Sequence, residues 1–208
     1  DLGTLPSFGI VRTEVAGIAT LVARTGYTGE DGFECYCPIE RVVDLWDAIL
    51  EAGQPLGLVP VGLGARDTLR IEAGLPLYGN ELSPEITPLE AGLGWVIAWQ
   101  KGAFLGREAL ERQRDQGPPR RLVGFELVER GGIPRHGYPV QFESDVVGTV
   151  TSGTVSPTLG KTIGMALIAR HAAAPGRPLE ILIRDRLVKA VQVKLPFYRR
   201  SRSTSRSV

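Results

Sequence analysis

The 208-residue sequence predicts an α+β fold: a mixed helix and strand region followed by a small C-terminal six-stranded antiparallel β-barrel. Three observations predict it. Between residues 38 and 52 an apolar stripe recurs at helical spacing, flanked by short strand-like runs. At Gly117-Pro118-Pro119 the texture of the chain changes, because these residues end a helix and cannot continue a strand. Beyond that break, short alternating segments return at even intervals with turn residues between them, the pattern of a closed or nearly closed barrel.

Taken in order, residues 8–22 read as two β-rich segments hinged at Ala16-Gly17, and residues 33–36 as a short strand leaving a glycine-rich loop. Residues 38–52 predict a helix. Ile39, Val42, Val43, Trp46, Ile49 and Leu50 share one face, Pro38 sits near the first turn and Gly53 just past the end. Residues 54–60 read as a loop or short strand. A second helix spans about 63–73 and stops at Gly74. Residues 78–90, rich in Gly, Asn, Ser and Pro, predict irregular surface, the apolar run 93–99 a strand, and residues 106–115 a charged amphipathic helix. Six strands are expected at 122–128, 138–142, 146–151, 162–168, 179–184 and 187–195, with tight turns at Glu143-Ser144-Asp145 and Arg184-Asp185-Arg186. The expected organisation is an α+β region at 1–117, a barrel at 118–198 and a disordered Arg/Ser-rich tail at 199–208.

Composition narrows the function classes. Apolar residues make up 43% and charged residues 23%, so the chain has material for real cores. A net charge of +1 argues for neither nucleic acid nor a membrane surface, and no apolar run has the length of a span. Cys35 and Cys37 are too few for a disulfide framework or a zinc site. On a strand they would share one face as plain thiols, which fits a reducing compartment. The first residue is Asp1 and the only methionine is Met165, so the chain is expected to begin mid-stream. A Ser-His-Asp set, a Walker loop and zinc-ligand spacing are all missing from the sequence, and His136 and His171 stand apart.

The segment Arg24-Thr-Gly-Tyr-Thr-Gly-Glu-Asp-Gly-Phe-Glu34 carries the sharper chemistry. Gly26, Gly29 and Gly32 allow sharp turns or a close ligand approach. Tyr27 offers a ring face, and Glu30, Asp31 and Glu34 offer carboxylates. A carboxylate at Glu34 suits the paired N–H edge of a pterin, purine or guanidinium group. Arg66 stands in the first turn of its helix, against the macrodipole, so it is expected to have a partner, an internal carboxylate or a ligand anion. Arg70 and Glu72 are expected to be structural, and Trp95 and Trp99 to pack in the core.

These residues resemble a known family, the glycine cleavage system T-protein. The resemblance rests on the Arg24–Glu34 segment and on Gly62-Leu-Gly-Ala-Arg-Asp-Thr-Leu-Arg-Ile-Glu-Ala-Gly-Leu-Pro-Leu-Tyr-Gly-Asn80. It continues through Thr87-Pro-Leu-Glu-Ala-Gly-Leu, Phe104-Leu-Gly-Arg-Glu-Ala-Leu110 and Gly148-Thr-Val-Thr-Ser-Gly-Thr-Val-Ser-Pro157, in one order from about residue 1 to 197. It implies an aminomethyltransferase that moves a one-carbon unit from the aminomethyl-lipoyl H-protein to tetrahydrofolate and releases ammonia. It implies that residues 1–117 belong to the folate-binding α+β domains. Glu34 falls where the family's carboxylate grips the pterin, Arg66 where its arginine meets distal folate, Tyr27 beside the pterin, and Tyr198 at a further contact. The family's catalytic aspartate belongs to an N-terminal portion outside this sequence, so no catalytic residue is assigned here and the chain alone is expected to be inactive. Tetrahydrofolate and lipoylated H-protein are the implied partners; nucleic acid, metal and membrane are not. The implied location is cytoplasmic in a bacterium and mitochondrial in a eukaryote. Folate-dependent demethylases share the scaffold but usually carry a flavin domain, which is not visible here. An iron-sulfur or tRNA-modifying relative would need a cysteine where this chain has Lys101-Gly-Ala-Phe104. A non-catalytic folate-binding module is the remaining alternative.

Overall fold

The computed structural model describes residues 2–200 and divides into two compact units, Asp1–Asp67 and Thr68–Val208. Most of the basic tail, residues 201–208, lies outside the described residues.

The first unit is built on a three-stranded antiparallel sheet in the order β1-β2-β3, formed by Ile10–Val15, Ile18–Ala23 and Glu34–Tyr36. The β1–β2 hairpin closes on Ala16 and Gly17, both in the left-handed region (φ 52° and 71°), a two-residue turn whose twist matches that of the strands. Central β2 buries Ile18, Val22 and Ala23, whereas β1 is exposed over nearly its whole length. After a 3-10 turn at Ile39–Arg41, α1 runs Val42–Gly53. Arg41 Nε donates to Asp44 at 2.8 Å, which places an acid in the first turn where the dipole favours it.

Helix α2, Leu63–Glu72, spans the division between the units. Gly74 (φ 65°) ends it: its N–H donates to Ile71 O at 2.9 Å and the Leu75 N–H to Arg70 O at 2.8 Å, the paired bonds of a Schellman cap. The following segment is irregular, and the strand expected at 93–99 does not form. Two 3-10 turns, Gly94–Val96 and Trp99–Lys101, stand there instead. Gly92 (φ 74°) bends the chain at the start, and the Val96 and Ile97 amides are satisfied by Leu93 O and Gly94 O, so local bonds replace a ladder. Trp95, expected in the core, is 82% exposed, while Trp99 is half-buried beneath Arg114 (guanidinium carbon 4.7 Å from the ring centroid). The charged helix α3 follows at Arg107–Gln116.

The barrel is closed, with strand order β4-β7-β6-β5-β8-β9. Its strands are Arg120–Leu127, Pro139–Phe142, Asp145–Ser156, Lys161–Ala169, Pro178–Ile183 and Arg186–Val193, all paired antiparallel. The expected tight turns are present, with left-handed φ at Glu143, Ser144, Arg184 and Asp185. Phe125, Val140, Val150, Ala166, Ile168 and Ile181 are among the residues that fill the interior. The Phe125 ring lies over Gly164, its cross-strand partner; a Cβ on Gly164 would stand 2.5 Å from the ring's Cζ.

In β6 the register with β7 shifts between Val150 and Ser152, so Thr151 is an extra residue. Val150 belongs to the interior, but Ser152, Thr154 and Ser156 meet the Thr68–Glu72 half of α2 on the outside. Thr154 Oγ1 lies 3.0 Å from Thr68 Oγ1, and Ser152 Oγ accepts from Arg70 Nη2 at 2.6 Å. Ser156 Oγ donates to Glu72, whose carboxylate also accepts from the Thr158 hydroxyl and amide. Arg70 Nη1 donates to Glu81 at 2.9 Å, with both side chains almost fully buried. The structural roles expected for Arg70 and Glu72 are therefore seen in full.

The Glu90–Arg120 ion pair makes the stability of this unit depend on pH. Burial alone would raise the Glu90 carboxyl, but the Arg120 hydrogen bond at 2.7 Å, helped by the Thr87 amide and hydroxyl, holds it below its ordinary 4.5. A depressed carboxylate contributes stability that is complete above the unfolded-state value and is lost as pH falls through the folded-state value. Arg120→Gln should therefore destabilise the protein at neutral pH, and the deficit against wild type should shrink as pH drops below 4.5. Urea titrations at a neutral and an acid pH check this; a deficit independent of pH would contradict it.

Candidate functional site

The glycine loop joins β2 to β3, and its own residues hold its shape. Arg24 grips Asp31 with two parallel bonds, Nε to Oδ1 at 2.8 Å and Nη2 to Oδ2 at 2.7 Å. Its remaining nitrogen donates to Leu5 O at 2.7 Å, and its guanidinium carbon lies 5.6 Å from the Phe33 ring centroid. Asp31, one of the carboxylates the sequence offered to a ligand, is thus engaged in bracing the loop. Of the three spaced glycines only Gly29 takes a left-handed conformation (φ 76°); Gly26 and Gly32 face open space where a Cβ would go. The loop is open rather than tightly wound at those two positions.

Glu34 opens β3 opposite Ala23 and is half-buried. One carboxylate oxygen, Oε2, accepts from the Thr25 hydroxyl, which orients the group toward the loop. Oε1 carries no hydrogen bond among the described residues. Two residues beyond Thr25, the Tyr27 ring lies under Arg66, with the guanidinium carbon 4.7 Å from the ring centroid. Among the described residues the partner of Arg66 is thus an aromatic face rather than an internal carboxylate. The reason is geometric: a planar, weakly hydrated guanidinium stacks on a ring while its edge stays open to an anion. Arg66 is exposed, so that edge is accessible.

The structure therefore brings Tyr27 and Arg66 into contact and places Glu34 on the same loop assembly, all within the first unit. Tyr198 belongs to the second unit, half-buried, with its amide donating to Glu72 O at 2.9 Å. Sequence reasoning missed the bracing role of Arg24 and the orienting role of Thr25. A signal for the first was available: an arginine and an aspartate at the two ends of an eight-residue glycine-containing segment can close it with a bidentate pair. Cys35 and Cys37 are both free thiols; partial desolvation, with Cys37 beside it, pushes Cys35 up and away from thiolate chemistry. Among the described residues no cluster of His, Cys, Asp and Glu is set to hold a metal, and no helix is long and apolar enough to cross a membrane. An open groove of about 930 Å³ on the barrel, lined in part by Phe142, Arg177, His171, Glu180 and Lys189, contains none of the loop residues.

Two family models match the chain in succession. The GCVT N-terminal domain covers residues 1–101, and the glycine cleavage T-protein C-terminal barrel domain covers residues 120–199. The chain belongs to the glycine cleavage T-protein family. Among its T-protein relatives, the aminomethyltransferase of Caldanaerobacter subterraneus subsp. tengcongensis is 56% identical over 190 residues, spanning 91% of this chain and 50% of the relative. That of Geobacillus kaustophilus is 54% identical over 204 residues, spanning 97% and 56%. The crystal structure of the glycine cleavage system aminomethyltransferase T from Bartonella henselae superposes with a TM-score of 0.85 at 31% identity, covering 94% of this chain and 54% of that one. The chain thus spans about half the length of the curated T-protein relatives it matches. The closed barrel seen here corresponds to the T-protein C-terminal domain.

Proposed function

We propose that this chain supplies the pterin-binding part of an aminomethyltransferase, which passes a one-carbon unit from the aminomethyl-lipoyl arm of H-protein to tetrahydrofolate and releases ammonia. Residues 1–117 would form the folate-binding portion and residues 118–198 the barrel. The observation that carries the reading is the state of Glu34: one oxygen is fixed by Thr25, and the other is left to accept from a donor edge. A pterin presents such an edge, two parallel N–H groups that a carboxylate binds with charge assistance. The Tyr27 ring, backed by Arg66, offers a flat face beside it, and the open edge of Arg66 suits the carboxylates at the far end of folate. Tyr198 is assigned a further contact on family resemblance. These groups bind and orient. Catalysis in this reading comes from positioning the acceptor nitrogen against the carbon it receives, which turns a two-substrate transfer into an effectively unimolecular step. The two free thiols agree with a reducing cytoplasmic setting.

Glu34→Gln tests the reading. The amide keeps the size of the side chain but loses the charge-assisted pair, a loss of about 1.5–3 kcal/mol or roughly ten- to hundredfold in affinity. Calorimetric titration of tetrahydrofolate into wild type and variant measures it. Equal affinities, or no folate binding by wild type, would remove Glu34 from this role.

A further inference from the structure

Ala23 and Glu34 are the last ladder partners of β2 and β3; beyond them the two strands part and the glycine loop begins. Thr25 lies past the end of this pairing, yet its hydroxyl donates to the Glu34 carboxylate. No ladder bond sets the distance between the two. A side-chain contact takes over where the backbone pairing stops. Arg24, the first residue after β2, grips Asp31, three residues before β3, through parallel bonds of 2.8 and 2.7 Å. A bidentate guanidinium–carboxylate pair fixes angle as well as distance. Arg24 is held from its other side too. Its amide donates to Gly9 O at 2.9 Å, its carbonyl accepts from the Phe8 amide at 3.0 Å, and Nη1 donates to Leu5 O at 2.7 Å. Thr25 therefore follows a residue anchored through both backbone and side chain, and its own β-branched side chain has few rotamers.

The anchoring matters for what Glu34 can recognise. A glutamate has several free side-chain torsions, and freezing them opposes binding when the ligand must do it. Here the Thr25 hydroxyl holds Oε2 before any ligand arrives. A carboxylate offers about four acceptor positions and Thr25 occupies one, so both oxygens can still accept from a donor edge. We propose that Thr25, held in place by the Arg24–Asp31 clamp, is a positioning residue for ligand selection. It presets the Glu34 carboxylate for a ring edge that carries two adjacent N–H donors. The inference rests on the reading of Glu34 as the pterin acceptor. It adds that the preference for that edge is set by three residues that act through Glu34.

Two ligands separate this effect from a general loss of structure. One is tetrahydrofolate; the other is its analogue with a methyl group in place of the 2-amino group, which lacks one of the two donors. Calorimetric titration of the 208-residue chain with each gives an affinity ratio. Wild type should favour tetrahydrofolate by about tenfold or more. Thr25→Val removes the hydroxyl at nearly constant volume and should weaken tetrahydrofolate about three- to tenfold. The analogue should weaken less, so the ratio narrows. Asp31→Asn breaks the clamp, leaves Thr25 and Glu34 unaltered, and should narrow the ratio in the same direction. Thr25→Ser keeps the hydroxyl and should restore the wild-type ratio. If Thr25→Val weakens both ligands equally, the residue supports the fold alone and the proposal is overturned. A Thr25→Ser ratio like that of Thr25→Val, or an Asp31→Asn ratio like that of wild type, overturns it as well. Wild type that binds both ligands equally, or neither, removes the Glu34 reading itself and this inference with it. Far-UV circular dichroism checks that each variant is folded; if Thr25→Val is not, Thr25→Ala is titrated with the same two ligands and judged by the same ratio.

Discussion

Glu81→Ala is expected to lower stability by about 3–5 kcal/mol, the usual result of removing one partner of a fully buried ion pair. Glu81 and Arg70 expose at most 1% of their side chains. The carboxylate accepts from Arg70 Nη1, from Ser152 Oγ at 2.6 Å and from the Leu77 amide at 2.9 Å, so three donors lose their acceptor at once. For a unit of this size the loss corresponds to a melting temperature lower by roughly 10–15 °C. Glu81→Gln keeps an acceptor of the same shape and should lie clearly closer to wild type. Thermal and urea unfolding of the two variants check the order. Equal damage from both would mean that charge compensation of Arg70 is the whole effect, and no damage from Glu81→Ala would contradict the buried pair.

The second large effect concerns the barrel interior. Phe125→Ala should destabilise by about 3–5 kcal/mol, the transfer free energy of a buried ring plus the void it leaves. Phe125 is fully buried. Gly164→Ala should be comparably damaging for the opposite reason, because the new methyl would sit 2.5 Å from the ring's Cζ and 2.7 Å from Ser152 O. The ring has no free volume to retreat into. Combining Gly164→Ala with Phe125→Leu should recover part of the loss, so that the pair is not additive. A double-mutant cycle by urea denaturation measures the coupling; simple additivity would mean that the backbone contact with Ser152 O is what forbids the methyl.

Much of the fold was legible because local chemistry and tertiary outcome agree. The Ala16-Gly17 hinge, the Gly74 stop and the Glu143-Ser144 and Arg184-Asp185 corners each appear where turn residues interrupt a pattern, and all of them take left-handed dihedrals. Residues 93–99 misled for a physical reason. An apolar run without a periodic partner is ambiguous, and here flanking glycines let the backbone satisfy itself locally. The burial of Trp95 was misjudged because aromatic content speaks to what a residue can bury and not to what it meets. In the loop, the position of Glu34 could be read, but its orientation by Thr25 and the Arg66 stack on Tyr27 depend on side chains brought together by folding. No spacing rule encodes those contacts.

The extra residue at Thr151 sets a parity. Val150, just before it, faces the barrel interior, and the even-numbered Ser152, Thr154 and Ser156 after it face the Thr68–Glu72 stretch of α2. Substituting Thr151 changes a side chain; deleting it would act like a frameshift written in space. Ser152, Thr154 and Ser156 would turn inward, and the hydroxyls that meet Thr68, Arg70 and Glu72 would leave helix and barrel unjoined. This strand should therefore tolerate many replacements and almost no change of length, the reverse of what is expected of the surface loops around it.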